Sequence, residues 1–487
     1  MNAMRAQDWV SLLPEGILIG ISIILLVFDL ASPDRRWKSR AIGWLSFAGI
    51  VAAFVATAAI GRTAETVRLF GDSVVVDAFA VAFKLVILTA SGLVALMSVG
   101  TVRKPDVPVA SEYFCLLPLA VAGAMIVVSS GDLVTLYVGL ELMSIATYVL
   151  VAVRKQTATS AEAAFKYLTV SGIASAVTLY GMSFLYGTAG TTNLEAIGRH
   201  LPTMSDRFDG LLIMALALVV AGVAVKTAAA PFHAWAPDVY QGAPSAAAAF
   251  LAAVSKVAAV GLLIRLVVGA FGPHHVFGQV ASAMIALVAA TAMIVGNAVA
   301  LRERNVRRLI ALSGVANAGY LLVPLAVHAG QPEAVGALTD VTVFYALAYA
   351  VMTVGALAVS AAVAAAEGHE DMSAFAGLYH RAPLTAWAMV VLLMSLAGLP
   401  PTGGFVGKLL ILLDAVRSGM YGLAAVLAVT SVVSFYYYFA VARQMFLRTS
   451  GGPAVSMSAP VGATVAVCAA ATLALGLYPQ GWTALWP

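Results

Sequence analysis

Lys226-Thr227-Ala228-Ala229-Ala230-Pro231-Phe232-His233 interrupts an apolar run, and Leu399-Pro400-Pro401-Thr402-Gly403-Gly404-Phe405-Val406-Gly407-Lys408 interrupts another further along the chain. Each sets proline and a lysine together at mid-run. Proline removes a backbone N–H and crowds the preceding turn, so a helix must stop or bend there. In lipid, backbone freed in this way is tolerated only against protein or a wet cavity. Interrupted segments at corresponding places in two halves of a chain point to a transport site. Two packing kinks are the plainer alternative.

Composition says that these runs belong in a membrane. Of 487 residues, 62% are hydrophobic and 10% charged, against about 45–50% and about 25% in soluble domains. Charged side chains are too few to cover a water-facing surface of this size. Runs of about 20 apolar residues suit a hydrocarbon core of about 30 Å. Fourteen spans are expected, near 12–30, 41–60, 78–100, 113–130, 132–153, 161–187, 211–236, 243–270, 276–301, 306–327, 338–364, 383–415, 420–446 and 457–477. The fold class is all-α and polytopic, with two broken helices. Met1–Val10 has no basic region leading to a small-residue cleavage site, so the first run is expected to be a retained span.

Loop charge orients the spans. Arg35, Arg36, Lys38, Arg40, Arg103, Lys104, Arg154, Lys155, Arg302, Arg304, Arg307, Arg308, Arg443 and Arg448 fall on one side of a fourteen-span threading. Arg5, Arg62, Arg68, Arg199, Arg207 and Arg417 fall on the other, mostly diluted by acids. The positive-inside rule makes the first side cytoplasmic and places both termini outside. The net charge of +4 therefore reads as topology, and nucleic acid is not an expected partner; the lipid bilayer is.

Several chemistries are excluded from this chain. Its two cysteines, Cys115 and Cys468, allow no disulfide framework, Cys-x-x-Cys pair or cysteine-ligated iron–sulfur cluster. No dinucleotide fingerprint or Walker loop occurs. The seven histidines are scattered, with His274-His275 in a short loop, and form no metal-ligand spacing.

What remains is a small set of ionisable residues within spans: Lys84, Lys166, Lys226, Lys256, Arg265, Lys408 and Glu141. A charge at a helix centre costs about 2.5–3.5 kcal/mol on insertion scales. Lysine, unlike arginine, can give up its proton when buried, and a nearby carboxylate opposes that loss. A Lys–Glu pair can thus load and release a proton as it closes and opens. The bland readings are snorkelling for Lys84, Lys166 and Arg265, and structural pairing for Glu141 with Lys226. His233 could relay protons or cap loosened backbone. Tyr345 and Tyr349 share a helical face and could organise water or simply pack.

Two segments also look alike: Phe165–Ala174 and Arg307–Ala316 share a Ser-Gly-x-Ala core. Small-residue patterns are common where helices pack closely, so this is a weak sign of internal repetition.

The stretch Ala224–Pro244, with its continuation to Ser255-Lys256, resembles the proton-translocating antiporter-like subunits of respiratory complex I, NADH:quinone oxidoreductase. Pro237-Asp238-Val239-Tyr240 followed by Gly242-Ala243-Pro244 is similar to the chain N branch of that superfamily. Leu140-Glu141, Phe165-Lys166-Tyr167 and Gly398–Phe405 before Lys408 extend the resemblance over nearly the whole chain. Gln241 departs from it, standing where an acid is expected. The long lateral helix of chain L, which needs a C-terminal extension, is not expected.

The resemblance implies two inverted five-helix repeats, at 113–270 and 276–446, after an N-terminal three-helix segment (1–112) and before a C-terminal helix (447–487). It implies that Glu141 and Lys226 form a charged pair modulated by Lys166, that Lys256 is the central relay, and that Lys408 lies near the outer exit. It implies helix breaks at Pro231 and at Pro400 and Pro401. It implies a translocase subunit of a bacterial inner-membrane complex, with other membrane and peripheral subunits as partners. NADH, flavin, iron–sulfur clusters and quinone would belong to other parts of that complex, and none to this chain. A subunit of a multisubunit cation/proton antiporter, a related redox-driven pump, and a scaffold whose charges only pair helices are the competing readings.

Overall fold

The computed structural model describes residues 9–32, 37–62, 66–102, 109–154, 156–272, 275–448 and 452–480. In chain order its elements are α1 (Leu13–Ala31), α2 (Lys38–Gly61), the hairpin β1 (Val67–Leu69) and β2 (Val74–Val76), α3 (Ala78–Thr101), α4 (Ala110–Val128), α5 (Leu133–Ala152), α6 (Ala158–Ala189) and α7 (Leu194–Lys226). A short α8 (Ala236–Gly242) leads into α9 (Ser245–Phe271). Then follow α10 (His275–Ala300), α11 (Val306–His328), α12 (Val335–Glu367), α13 (Leu378–Arg381), α14 (Pro383–Ala397), α15 (Gly403–Arg417), α16 (Tyr421–Leu447) and α17 (Ala459–Leu477). Thirteen helices among the described residues are long and apolar enough to cross a membrane. The pair α14 and α15, too short singly, makes the fourteenth crossing, so the chain is a multi-pass membrane protein of the expected class.

Two boundaries differ from the sequence reading. The stretch before residue 211, expected as a loop, is helical from Leu194 and kinks at Phe208, where φ and ψ leave the helical region. The span expected to run to 236 stops at Lys226, five residues before Pro231, and helix resumes only at Ala236. A proline disrupts the turn preceding it, so the helix ends well ahead of the proline itself.

Both ends of the bundle are stitched. At one end, the hairpin meets the α4–α5 turn through Val75 N–H to Ser129 O (2.7 Å) and Gly131 N–H to Ser73 O (2.9 Å). The α6–α7 turn joins through Leu133 N–H to Thr192 O (2.9 Å). At the other end, Val306 N–H donates to Glu370 O (2.9 Å) and Met372 N–H to Arg304 O (2.8 Å). Connections that an even threading places together therefore do meet. The basic residues Arg35, Arg36, Arg103, Lys104 and Lys155 of that threading lie outside the described residues, as do Arg5 and His274.

Some charges assigned to loops are not in loops. Lys38 opens α2 and is buried against Asp29 (3.0 Å). Arg307 sits inside α11, only 3% exposed, bonded to Ser245 Oγ (2.8 Å) and paired with Glu370 (2.5 Å). Neither Lys84 nor Arg265 snorkels freely. Lys84 on α3 forms a buried ion pair with Glu15 on α1 (2.7 Å). Arg265 grips both oxygens of Asp77 (2.7 and 2.5 Å) and the Val128 carbonyl (2.9 Å), with Phe79 stacked on its guanidinium. Burial alone pushes the Asp77 carboxyl up, but Arg265 more than offsets this and holds it below its ordinary value. Asp77 also accepts from Ala80 N–H and so caps α3 (2.8 Å). A fixed arginine satisfied on both faces of its fork has no reason to extend to the surface.

The paired segments lie about two turns into α6 (Phe165–Ala174) and at the start of α11 (Arg307–Ala316), helices that leave the same end of the bundle. The two broken helices instead run in opposite directions, α7 towards that end and α14 with α15 away from it. Only the second pairing has the sense an inverted repeat requires.

Almost every side chain of α9, α11 and α12 is buried, so these three helices form the axis of the molecule. Cys115 and Cys468 are both buried and unpaired. The Lys84–Glu15 pair yields a prediction for assembly. Breaking a buried pair from one side leaves an uncompensated charge, at a cost of about 3–5 kcal/mol. Glu15→Ala is expected to lower the yield of intact protein in membranes, measured on native gels. The double variant with Lys84→Met is expected to recover most of it.

Candidate functional site

The breaks explain where two of the lysines sit. A helix C-terminus leaves carbonyl oxygens unpaired and carries partial negative charge, so it favours a cation. Lys226 is the last residue of α7. Its ammonium donates to Ser144 Oγ on α5 (2.9 Å) and Ser171 Oγ on α6 (2.7 Å). Lys408 lies on α15 but reaches back to the end of α14, donating to the Leu396 and Ala397 carbonyls (2.8 and 3.2 Å). Gly398, which ends α14, has φ +84, and a Cβ there would come within 2.9 Å of Lys408 Cδ. Glycine therefore both closes the helix and leaves the lysine its channel. Both breaks carry a cis peptide, at Ala230-Pro231 and Pro400-Pro401.

Lys256 stands at the third irregularity, just after the π-helical turn Leu251–Ser255 within α9. Such single π-turns recur at functional sites. Its ammonium donates to the Gly314 carbonyl of α11 and to the Tyr349 hydroxyl of α12 (3.3 Å). Lys226, Lys256 and Lys408 are all at most 5% exposed. Among the described residues none of the three has a carboxylate within ion-pair distance; hydroxyls, carbonyls and aromatic faces hold them.

Tyrosines fill the intervals. Lys226 lies 5.8 Å from the Tyr148 ring, which packs edge-on against Tyr167 at 5.2 Å. Tyr167 meets Thr147 (3.3 Å) and also interacts with Ser255, next to Lys256. On the far side, Lys256 sits over Tyr349 at 5.2 Å. One turn along the same face of α12, Tyr345 donates to Asn317 Oδ1 (2.6 Å). Its ring packs edge-on to Tyr320 at 6.3 Å, and Lys408 lies over Tyr320 at 4.8 Å. Tyr345 and Tyr349 thus lie between two of the lysines as well as packing the core.

The other candidates sit apart from this line. Glu141 is half-buried on α5, one turn from Ser144; its Oε1 is buried without a hydrogen-bond partner. It acts on Lys226 through space but forms no ion pair with it. Lys166 is more exposed, paired with Glu162 (2.7 Å) and Asp238 (2.6 Å), and Asp238 also pairs with Arg308 (2.6 Å). The Lys166 hydrogen bond holds the Asp238 carboxyl below its ordinary value. His233 is half-buried in the turn after Pro231, with Nδ1 buried and unpartnered. Pro231 itself is exposed. Sequence reasoning passed over Ser144, Ser171, Tyr148, Tyr167, Asn317 and Tyr320. A search for hydroxyls and amides inside apolar spans would have found them.

Residues 130–434 match the family described as "NADH:quinone oxidoreductase/Mrp antiporter, TM". The chain belongs to this family. Over 97% of its length it is 44% identical to the NADH-quinone oxidoreductase subunit N of Paenibacillus sp. (strain JDR-2), covering 94% of that protein. It is 41% identical to the subunit N of Geobacillus kaustophilus, with 98% and 96% of the two chains covered. A chain of respiratory complex I from Thermus thermophilus superposes with a TM-score of 0.80 at 29% identity, covering 96% of this chain and 97% of that one. A chain of the Mrp complex from Dietzia sp. DQ12-45-1b has a TM-score of 0.84 at 22% identity over 99% and 96% of the two chains, a likeness of fold alone. This member of the family has no redox motif of its own.

The left-handed position of Gly398 makes a direct prediction. A Cβ in that conformation costs about 1–2 kcal/mol, and Lys408 must also shift. Gly398→Ala is expected to lower the thermal unfolding midpoint of the detergent-solubilised protein. Gly187→Ala, at an open position on α6, is the control, neutral or stabilising by up to about 1 kcal/mol.

Proposed function

We propose that this chain is the N subunit of an NADH:quinone oxidoreductase and that it carries protons along the line Lys226–Lys256–Lys408. The observation that carries the reading is that three buried lysines, each at a helix irregularity, are joined by tyrosines through the axis of the bundle. An ammonium held only by neutral dipoles is poised between charged and uncharged forms. A charge on one lysine therefore disfavours charge on the next by Coulomb repulsion in a medium that screens weakly. Occupying one site drives the proton from its neighbour. Glu141, one turn from the Lys226 cluster, sets the first step by its approach or withdrawal, and Lys166 acts on the same helix as Ser171. Quinone reduction in another part of the complex supplies the driving charge; NADH, flavin and iron–sulfur clusters belong there too.

Val138 and Ile145, flanking Glu141 on α5, are exposed, so a carboxylate at mid-depth would border lipid unless protein covers it. A neighbouring membrane subunit is the partner this face requires. The blocks 113–270 and 276–446 form the inverted repeats, supported by the opposite sense of their broken helices. The end carrying Arg154, Arg302, Arg304, Arg308, Arg443 and Arg448 faces the cytoplasm of a bacterial cell, and both termini lie outside its inner membrane. Identity of 44% to a named N subunit, against 22% to the Mrp chain, supports the oxidoreductase over the antiporter.

The test is NADH-driven proton pumping and quinone reduction in membranes carrying Lys226→Ala, with assembly followed in parallel. Both activities are expected to fall together by about tenfold or more per assembled complex, the scale of losing a proton-transfer group. Normal rates in an assembled complex would make the buried charges structural.

A further inference from the structure

A buried His–Asp pair lies beyond Lys408 and joins α11 to α15. His328 is the last residue of α11 and Asp414 stands near the end of α15. His328 Nε2 meets both carboxylate oxygens of Asp414, at 3.0 and 3.1 Å. Their side chains are 8% and 15% exposed, although Gln331, whose N–H bonds the His328 carbonyl (2.9 Å), is open to solvent. His328 Nδ1 is also buried, and no group among the described residues bonds it.

The register of the two helices places this pair. Lys408 and Asp414 are both on α15, and Tyr320, under the Lys408 ammonium, is on α11 with His328. Six residues along α15 advance about 9 Å and the eight from Tyr320 to His328 along α11 about 12 Å, so the pair stands about 9–12 Å along the axis from Lys408, towards the end of the bundle away from Arg308 and Glu370. Among the described side chains, Glu333, Asp340 and Arg417 are the other charged groups near these helix ends. All three are exposed, and none forms an ion pair with His328 or Asp414.

We propose that His328 and Asp414 are the release station through which protons pass from Lys408 to the outer face. This rests on the pumping function and the orientation proposed above. The Lys408 ammonium gives up a proton, through intervening water, to the free Nδ1 of neutral His328, leaving a neutral amine. Asp414 stabilises the resulting imidazolium through Nε2–H. The imidazolium then loses a proton to water outside and returns to its neutral form. Histidine suits the last step because its two ring nitrogens let one take up the proton while the other stays bonded to Asp414. The unpartnered nitrogen is the acceptor this step needs, and a merely structural His–Asp bond would have no use for it.

The experiment compares His328→Gln, Asp414→Asn and Asp414→Glu in the whole complex, with pumping and quinone reduction normalised to assembled complex. Glutamine keeps a hydrogen-bond donor for Asp414 but cannot carry the proton; glutamate keeps the charge. His328→Gln and Asp414→Asn are expected to lower pumping to about a tenth, and Asp414→Glu to retain most of it. Parental rates in either His328→Gln or Asp414→Asn would overturn the release station. If His328→Gln fails to assemble, the contrast between Asp414→Asn and Asp414→Glu decides, and equal rates in those two overturn it. Lys226→Ala in the same background separates the two readings. Loss in Lys226→Ala with none in His328→Gln removes only the release station, whereas normal rates in both remove the pumping function as well.

Discussion

An amine inside a membrane protein has to find oxygen. Helices consume their own carbonyls, so an unbroken bundle has few to offer, and the architecture of this chain follows from where it makes exceptions. Ending α7 at Lys226 and α14 at Ala397 puts two negative helix termini inside the bundle. The π-turn before Lys256 loosens a third point. The buried serines, the Gly314 carbonyl and the tyrosines then complete the coordination. Among the described residues no carboxylate touches these three amines, whereas Lys84 closes a tight buried ion pair with Glu15.

That contrast separates two uses of the same residue type. Lys84 and Arg265 sit against carboxylates and fix α1 to α3 and α9 to α3. Lys226, Lys256 and Lys408 sit against neutral dipoles along the axis. Arg307 and Arg308 belong with the first group. They tie the start of α11 to α8, to the start of α9 and to the loop after α12, closing the end of the bundle beneath the lysine line.

Much of this was readable in the chain itself. Apolar run lengths located the spans, because hydrocarbon thickness acts on each helix separately. Proline located the breaks, because its effect is local. The lysines stood out because charge is rare in lipid. The partners did not stand out, because they come from distant segments. Nothing near Lys84 in sequence announces Glu15, and nothing near Lys256 announces Tyr349. Glu141 was expected to touch Lys226, since opposite charges attract, yet two serines occupy the ammonium instead. Hydroxyls were overlooked because Ser and Thr in apolar helices commonly bond their own backbone, as Thr178 and Ser98 do here. Only the packing shows which of them turn to a lysine.

The Glu15–Lys84 pair has a bearing on how the chain enters its membrane. Glu15 lies on α1 and its counter-charge on α3, with all of α2 between them in the chain. A lone charge within lipid is costly, so neither helix settles at its final depth without the other. Insertion of α1 and α3 is thereby coupled, although the two are not neighbours in sequence.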